Sequence, residues 1–164
     1  NFILSSGYHK KIPRDIINAF NGKVINLHAS RLPYGKGIGT ALFCLIFPCP
    51  VGVSIHEIDE NFDTGPIISV KDLDFDDYLV KDQRRFYEYL IEQTNQFFTE
   101  NWPIIKNSSY TLMTNSTNKK NIPYFSRNDS EKFLEIMPDQ WDTNLSDILR
   151  LGANFSISEG FWFI

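Results

Sequence analysis

Short apolar segments alternate with helix-forming segments along the chain, and this alternation limits the fold more than any other feature. Val24–His28 and Val51–Ile58 have the length and β-branched content of strands. A helix is predicted from Pro13 to Phe20, with Gly22 as its stop, because proline suits a first helical position and glycine suits a helix end. The order β-α-β-α-β-β-α is typical of an α/β fold, and its two helical crossovers favour parallel pairing.

Further elements follow from the same patterns. Phe2–Leu4, closed by Ser5 and Ser6, and Ile67–Val70 complete the predicted strands of the core. Thr40 is predicted to cap a short helix, Ala41–Phe47, that Pro48 and Pro50 end. The longest helix is predicted over Lys81–Asn101, ended by Trp102 and Pro103, with one stripe formed by Tyr87, Leu90, Ile91, Thr94, Phe97 and Phe98.

The polar segment Asn107–Arg127 indicates a boundary or a long surface loop. We therefore divide the chain into a core over residues 1–106 and a small subdomain over residues 107–164. Within the second part the sequence predicts two helices and a closing strand. They are Glu131–Ile136, Leu145–Leu151 (capped by Thr143 or Asn144 and stopped by Gly152), and Phe161–Ile164.

Composition excludes several functional classes. The chain has 164 residues and a formal net charge of −4, so no surplus of Lys and Arg is available to bind a nucleic-acid backbone. Cys44 and Cys49 lie in an apolar run without a second Cys pair or a nearby His, which favours reduced thiols in a cytoplasmic protein. No apolar run reaches the length of a membrane span. The chain starts with Asn and runs at once into a strand, so we expect it to begin partway into a larger protein.

Two polar side chains at the end of an apolar strand are the first candidates for chemistry. Asn26 and His28 are two residues apart and therefore point to the same face of the sheet. Ligands of open α/β sheets bind beyond such strand ends, although both side chains could equally satisfy loop backbone groups. Asp63 is a further candidate that also fits an ordinary turn before a strand. His9 and His56 are not assigned to catalysis, and His56 is interpreted as structural.

The glycine-rich segment Gly35–Thr40 lacks the spacing of a phosphate-binding P-loop and of a dinucleotide-binding fingerprint. Its glycines fit a turn that lets the backbone pass close to a ligand.

Two longer segments together resemble the folate-dependent formyltransferases. NLHASRLP, from Asn26 to Pro33, is similar to the motif around the catalytic Asn and His of that family. GVSIHEIDENFDTGPII, from Gly52 to Ile68, is similar to its later signature GVTIH..D...DTG.I, which carries the catalytic Asp. ILSSGY, from Ile3 to Tyr8, followed by Ile12 and Pro13, resembles the strand and loop that flank the folate ring.

The tail resembles the post-catalytic segment of sugar formyltransferases and of their methionyl-tRNA relatives. The similar positions are Pro123–Arg127, Trp141, Ile148–Leu151 and Phe161–Phe163. The resemblance implies the C-terminal part of a Rossmann-like domain, because the first βα units of the family are absent from this sequence. Tyr124, Phe125 and Trp141 fit either a substrate pocket or a small second core.

The resemblance implies roles for individual residues. Asn26, His28 and Asp63 would be catalytic: Asn26 and a protonated His28 would donate to an oxyanion, and Asp63 would hold His28 or order a relay water. Candidate folate-binding residues are Gly7, Tyr8, Ile12, Asp59, Phe62, Thr64 and Gly65. Candidate substrate-binding residues are Ser30, Lys36, Gly37 and Tyr124. No metal is expected.

The implied reaction transfers a formyl group from N10-formyltetrahydrofolate to the amine of a nucleotide-linked amino sugar. The acidic balance argues against a tRNA acceptor, and the long tail exceeds the needs of the purine-pathway enzyme. Three alternatives stay open: a glycinamide ribonucleotide formyltransferase, a formyltetrahydrofolate hydrolase, and a non-catalytic fragment that binds folate. The expected partners are these small molecules, without nucleic acid or membrane, in a cytoplasmic protein that is compatible with a homodimer.

Overall fold

The structure is a computed structural model that describes residues 1–21, 23–47, 49–74, 81–116 and 124–155. Strands and helices alternate in these ranges, and the α/β class predicted from the sequence is confirmed. The strands are β1 (Ile3–Ser6), β2 (Val24–His28), β3 (Lys36–Gly37), β4 (Gly52–Glu57), β5 (Ile67–Asp72) and β6 (Tyr124–Phe125). The helices are α1 (Arg14–Ala19), α2 (Thr40–Ile46), α3 (Gln83–Lys106), α4 (Arg127–Ile136) and α5 (Leu145–Gly152).

The main sheet has the strand order β1-β2-β4-β5. β1 and β2 are parallel across α1, as predicted. The predicted parallel pairing across the second crossover is wrong, because β4 runs antiparallel to β2 and β5 runs antiparallel to β4. The Rossmann-like sheet is therefore mixed. β4 begins at the same edge of the sheet where β2 ends, since Ser54 near its start pairs with His28 at the end of β2. The segment between the two strands therefore does not cross back to the start of β2, as parallel pairing would require.

The two faces of β2 and β4 differ in character, as their alternating sequence predicts. Ile25, Leu27, Val53 and Ile55 pack on one face, where Phe97 and Ile105 of α3 cover them. Asn26, His28, Ser54 and His56 occupy the alternate positions. The antiparallel register pairs Asn26 with His56 and His28 with Ser54. Four polar side chains thus share one face.

The longest helix continues past its predicted end. Trp102 and Pro103 were expected to stop it, but α3 runs to Lys106 with Pro103 inside it. The proline removes one backbone donor from the helix. The last turn is retained because Ile105 is only 2% exposed and packs against the sheet.

Other helix ends differ by a few residues. Gly39, with a left-handed φ of 74°, is the N-cap of α2, so Thr40 is its first residue and not its predicted cap. α4 begins at Arg127 and not at Glu131, because Ser126 and Asp129 form a capping box. Asn144 caps α5, as one of the two predicted alternatives. The predicted signals Gly22 and Pro48 and the predicted strand Phe161–Ile164 lie outside the described residues.

The tail packs closely on the core. β6 pairs with β3 in parallel, so Tyr124 lies opposite Lys36 and Phe125 opposite Gly37. Phe125 stacks on Phe43 of α2 with ring centroids 4.3 Å apart. A second cluster joins the two parts through Leu42, Phe133, Met137 and Ile148. The division of the chain at residues 106 and 107 stays a prediction.

No helix in the described ranges combines the length and the apolar character that crossing a bilayer requires.

The Phe43 ring gives the first testable prediction. It is fully buried and contacts Phe47, Phe125 and Phe133. We expect Phe43→Ala to lower the free energy of unfolding by about 3–5 kcal/mol, because it leaves a large cavity. Urea unfolding measures the change. Leu149→Ala, at a residue 47% exposed, is the control. Equal losses for both variants would contradict the assignment of this cluster to the core.

Candidate active site

Asn26 and His56 form the first contact of the polar face. They are direct cross-strand partners, and Asn26 Nδ2 lies 3.2 Å from His56 Nε2. His56 Nδ1–H donates to the Glu57 carbonyl oxygen at 2.7 Å. In a neutral ring, Nε2 is therefore the acceptor and the Asn26 amide is the donor. His56 thus fixes the orientation of the Asn26 amide.

His28 is held in the same way by the backbone. Its Nε2–H donates to the Gly35 carbonyl oxygen at 2.8 Å, and its side chain is 9% exposed. This bond directs Nδ1 toward Asp63, whose Oδ1 lies 3.8 Å away. Nδ1 is therefore the ring nitrogen that faces the carboxylate.

Asp63 reaches this face from the loop between β4 and β5. β4 ends at Glu57, opposite Ile25, so the loop must fold back along the sheet to bring the carboxylate near His28. Asp63 adopts a left-handed φ of 54°, which aspartate tolerates better than most residues. Its Oδ1 lies 3.5 Å from His56 Nε2, and its Oδ2 accepts from the Gly37 N–H at 2.9 Å.

Burial of Asp63 opposes ionisation, but its neighbours outweigh that effect. The positive charge available to the His28 and His56 rings and the Gly37 N–H together hold the pKa of Asp63 well below its usual range. The side chain is only 11% exposed. The site therefore holds a carboxylate that stays ionised beside two imidazoles.

Asn115, which lies in the segment after α3, holds the loop that carries Asp63. Its side-chain amide donates to the carbonyl oxygens of Asp63 and Gly65 at 2.9 and 2.7 Å. A bridge between Ile67 and Met113 brings this segment alongside β5. The sequence does not single out Asn115, because the residue lies in a polar segment without a motif.

A cavity of about 470 Å³ adjoins these groups. Asn26, His28 and Asp63 line it together with Gly37, and residues of α3 and α4 line it as well. A smaller cavity of about 40 Å³ adjoins Asn26, His56 and Asp63 on another side. The three predicted catalytic residues therefore converge on one cleft.

The other predicted site residues divide into two groups. Gly7, Tyr8, Ile12, Asp59 and Phe62 line one or both cavities. Thr64 donates to the Asp59 carboxylate at 2.6 Å, and Gly65 packs against Glu57, so both shape the loop.

Among the predicted substrate-binding residues, only Gly37 lines a described cavity wall. Ser30 is buried and its carbonyl oxygen accepts from Ser54 Oγ. Lys36 donates to the Asn115 carbonyl oxygen at 3.0 Å, and burial lowers the pKa of its ammonium against the opposing charges of Asp59 and Asp63. Tyr124 is half-buried in β6.

His56 is the site residue that sequence analysis set aside as structural. It is 1% exposed and contacts both Asn26 and Asp63. The alternation of Ser54 and His56 with Val53 and Ile55 along β4 already indicates that His56 lies on the polar face. Only the antiparallel register puts it opposite Asn26.

Comparison with known proteins defines the class. A family model described as formyl transferase matches residues 1–102. The chain belongs to the formyl transferase family, which confirms the resemblance found in its sequence motifs.

Solved structures and curated proteins that resemble this chain agree with the family assignment. The chain matches the crystal structure of the formyltransferase PseJ from Anoxybacillus kamchatkensis with a TM-score of 0.81 and 34% identity, over 92% of this chain and 77% of that one. That structure is a complex with UDP-4,6-dideoxy-4-formamido-L-AltNAc and tetrahydrofolate. Phosphoribosylglycinamide formyltransferase from Bacillus subtilis (strain 168) is 36% identical over 77 residues, 46% of this chain and 40% of that protein.

A third relative is the dTDP-4-amino-4,6-dideoxyglucose formyltransferase of Mycobacterium tuberculosis (strain ATCC 25618 / H37Rv). It is 27% identical over 117 residues, 71% of this chain and 48% of its own length. The chain thus spans less than half the length of these two curated relatives.

The lowered pKa of Asp63 predicts how acid affects the fold. In the unfolded chain the pKa of aspartate is about 3.9. Because the pKa of Asp63 is lower in the folded state, the ionised carboxylate stabilises the fold above that pH. This stabilisation is lost as the pH falls through the lower folded pKa. We expect Asp63→Asn to cost about 1–3 kcal/mol near neutral pH, with the difference shrinking steadily below about pH 4.

Urea unfolding of wild type and Asp63→Asn across this pH range measures the effect. Asp139→Asn, at an exposed residue, is the matched control and should follow the wild type. A difference between wild type and Asp63→Asn that does not change with pH would contradict the assignment.

Proposed function

We propose that this chain carries the catalytic groups for transfer of a formyl group from N10-formyltetrahydrofolate to the amine of a nucleotide-linked amino sugar. The observation that carries the proposal is the convergence of Asn26, His28 and Asp63 on one cavity wall. An amide donor, an imidazole and an ionised carboxylate are the groups that acyl transfer to an amine requires.

Asn26 stabilises the charge that develops on the formyl oxygen. When the amine attacks the formyl carbon, a tetrahedral oxyanion forms and needs a donor that is already oriented. The Asn26 amide has a second N–H besides the one directed at His56 Nε2, which lies 3.2 Å from Nδ2. Because His56 anchors the amide, the donor needs little reorganisation during the reaction.

His28 and Asp63 move the proton. The attacking amine loses a proton as its bond to carbon forms, and the folate nitrogen gains one as its bond to carbon breaks. His28 Nδ1 accepts the first proton, and the Asp63 carboxylate 3.8 Å away stabilises the resulting imidazolium. The same imidazolium then supplies the proton to the leaving nitrogen.

The two cavities support a division between donor and acceptor. Tyr8, Ile12, Asp59 and Phe62 line the smaller cavity beside Asn26 and Asp63, and the sequence resemblance implies folate at these residues. The larger cavity reaches α3 and α4. We assign the smaller cavity to the folate ring and the larger one to the acceptor.

The relatives support an amino-sugar acceptor. The PseJ structure, which covers most of this chain, holds a formamido sugar nucleotide, and the mycobacterial relative is named for a dTDP-amino sugar. Phosphoribosylglycinamide is the second candidate, because the Bacillus subtilis relative is 36% identical over the matched segment. We expect the reaction to take place in the cytoplasm, and a homodimer stays a prediction from the sequence.

An acceptor assay tests the proposal. The full-length protein is incubated with N10-formyltetrahydrofolate and, separately, UDP- or dTDP-linked 4-amino sugars, phosphoribosylglycinamide, or buffer alone. We expect the formylated sugar nucleotide as the product, detected by mass spectrometry, and folate release that depends on the sugar. If a formylated product forms only with phosphoribosylglycinamide, that compound and not the amino-sugar nucleotide is the acceptor. Folate release in buffer at the full rate would indicate a hydrolase.

Substitutions test the three catalytic roles. We expect Asn26→Ala, His28→Ala and Asp63→Ala each to lower kcat for formyl transfer by about 100-fold or more, since each removes a charge-stabilising or proton-transferring group. Asn18→Ala, at an exposed residue of α1, is the control and should retain wild-type turnover. Circular dichroism verifies that the variants fold. A folded Asn26→Ala or His28→Ala variant with near wild-type kcat would refute its assigned role.

A further inference from the structure

Gln83 is a buried polar residue that the proposed chemistry does not use. It is the first residue of α3 and is 3% exposed, yet among the residues that the structure describes its side-chain Oε1 has no hydrogen-bond partner. A buried carbonyl oxygen without a donor is destabilising, and most proteins avoid it. Its side chain borders the cavity of about 470 Å³ that also contacts Asn26, His28 and Asp63.

The backbone holds Gln83 firmly in this wall. Its N–H donates to the Thr143 carbonyl oxygen at 3.4 Å, and the neighbouring Arg84 forms a bidentate ion pair with Asp142, with Arg84 Nε 2.6 Å from Asp142 Oδ1. Asp82 caps the helix through the Arg85 N–H. The backbone from which the Gln83 side chain extends is thus held in place at the start of α3.

The side chains around Gln83 indicate which kind of ligand would contact it. Tyr87 and Ile91 follow at intervals of four residues and line the same cavity. The Tyr87 ring packs edge-on against Trp141, with centroids 5.5 Å apart. Flat aromatic surfaces contact the C–H faces of a sugar ring, while a carbonyl oxygen accepts only from an O–H or N–H.

We propose that Gln83 is a specificity-determining residue for the acceptor: its Oε1 accepts a hydrogen bond from a hydroxyl or amide N–H on the sugar ring. This inference rests on the proposed function, because it assigns the larger cavity to the acceptor. A site built to satisfy a buried acceptor rejects ligands that lack the matching donor.

Gln83→Met tests the proposal, since it keeps the length of the side chain and removes the oxygen. We expect the KM for the amino-sugar nucleotide to rise about 10- to 100-fold, while the KM for N10-formyltetrahydrofolate stays within about twofold. Gln83→Glu, which retains an acceptor oxygen, should recover part of the lost affinity. Gln96→Met, at an exposed position of the same helix, is the matched control.

Thermal unfolding of the unliganded protein separates this role from a structural one. Removing an unpartnered buried oxygen should leave the Tm unchanged or raise it, whereas a structural Gln83 would give a lower Tm in Gln83→Met. A second measurement needs no variant: wild-type KM values for acceptors that lack individual ring hydroxyl or amide N–H groups. One such analogue should show the same loss as Gln83→Met.

The outcomes separate the two proposals. An active wild type with unchanged acceptor KM in Gln83→Met, or with no analogue that loses affinity, overturns the role of Gln83 and leaves the proposed function intact. A wild type that formylates no amino-sugar nucleotide overturns the proposed function, and the role of Gln83 with it.

Discussion

The antiparallel register between β2 and β4 is the constraint on which the candidate site depends. It sets Asn26 opposite His56 and His28 opposite Ser54, so that one sheet face carries an amide and two imidazoles. A shift of one residue would turn these groups to the other face, against α3. The apolar residues Ile25, Leu27, Val53 and Ile55 alternate with them and are buried. The burial of the core therefore also fixes the orientation of the polar side chains at the candidate site.

The carboxylate depends on backbone contacts from three separate segments. Gly37 donates to Asp63 directly, and Asn115 holds the loop carbonyl groups on either side of Thr64. The β4–β5 hairpin supplies the loop itself. Of these, only the Gly37 N–H contacts the charged oxygens, where it replaces a hydrogen bond to water and, with the adjacent imidazoles, keeps the buried carboxylate ionised. Asn115 holds the loop in the position that this contact requires.

The positions of most helices and strands, and the three residues that converge on the cleft, could be predicted from the sequence. The pairing direction of the strands and the contacts between distant segments could not. Both ends of the strand Val24–His28 are predicted correctly, because its apolar character and its flanking loops are local signals. The direction of β4 was wrong, because strand direction depends on the path of the whole connection. The contacts of His56 with Asn26 and of Asn115 with Gly65 could not be predicted for the same reason: they join residues 30 or more positions apart in the sequence. Pro103 was misjudged because burial of Ile105 outweighs a local helix-breaking signal.

The short β3–β6 ladder links the tail to the Asp63 carboxylate. Gly37 donates to Asp63, while its neighbour Ile38 donates to the Phe125 carbonyl oxygen at 2.8 Å. Gly37 has a φ of 102°, and an added Cβ would collide with the backbone of Phe125. One glycine therefore connects β6, in the tail, to the buried carboxylate of the candidate site. A substitution in the tail that displaces the Phe125 backbone would therefore also displace the N–H donor of a carboxylate that belongs to a distant part of the sequence.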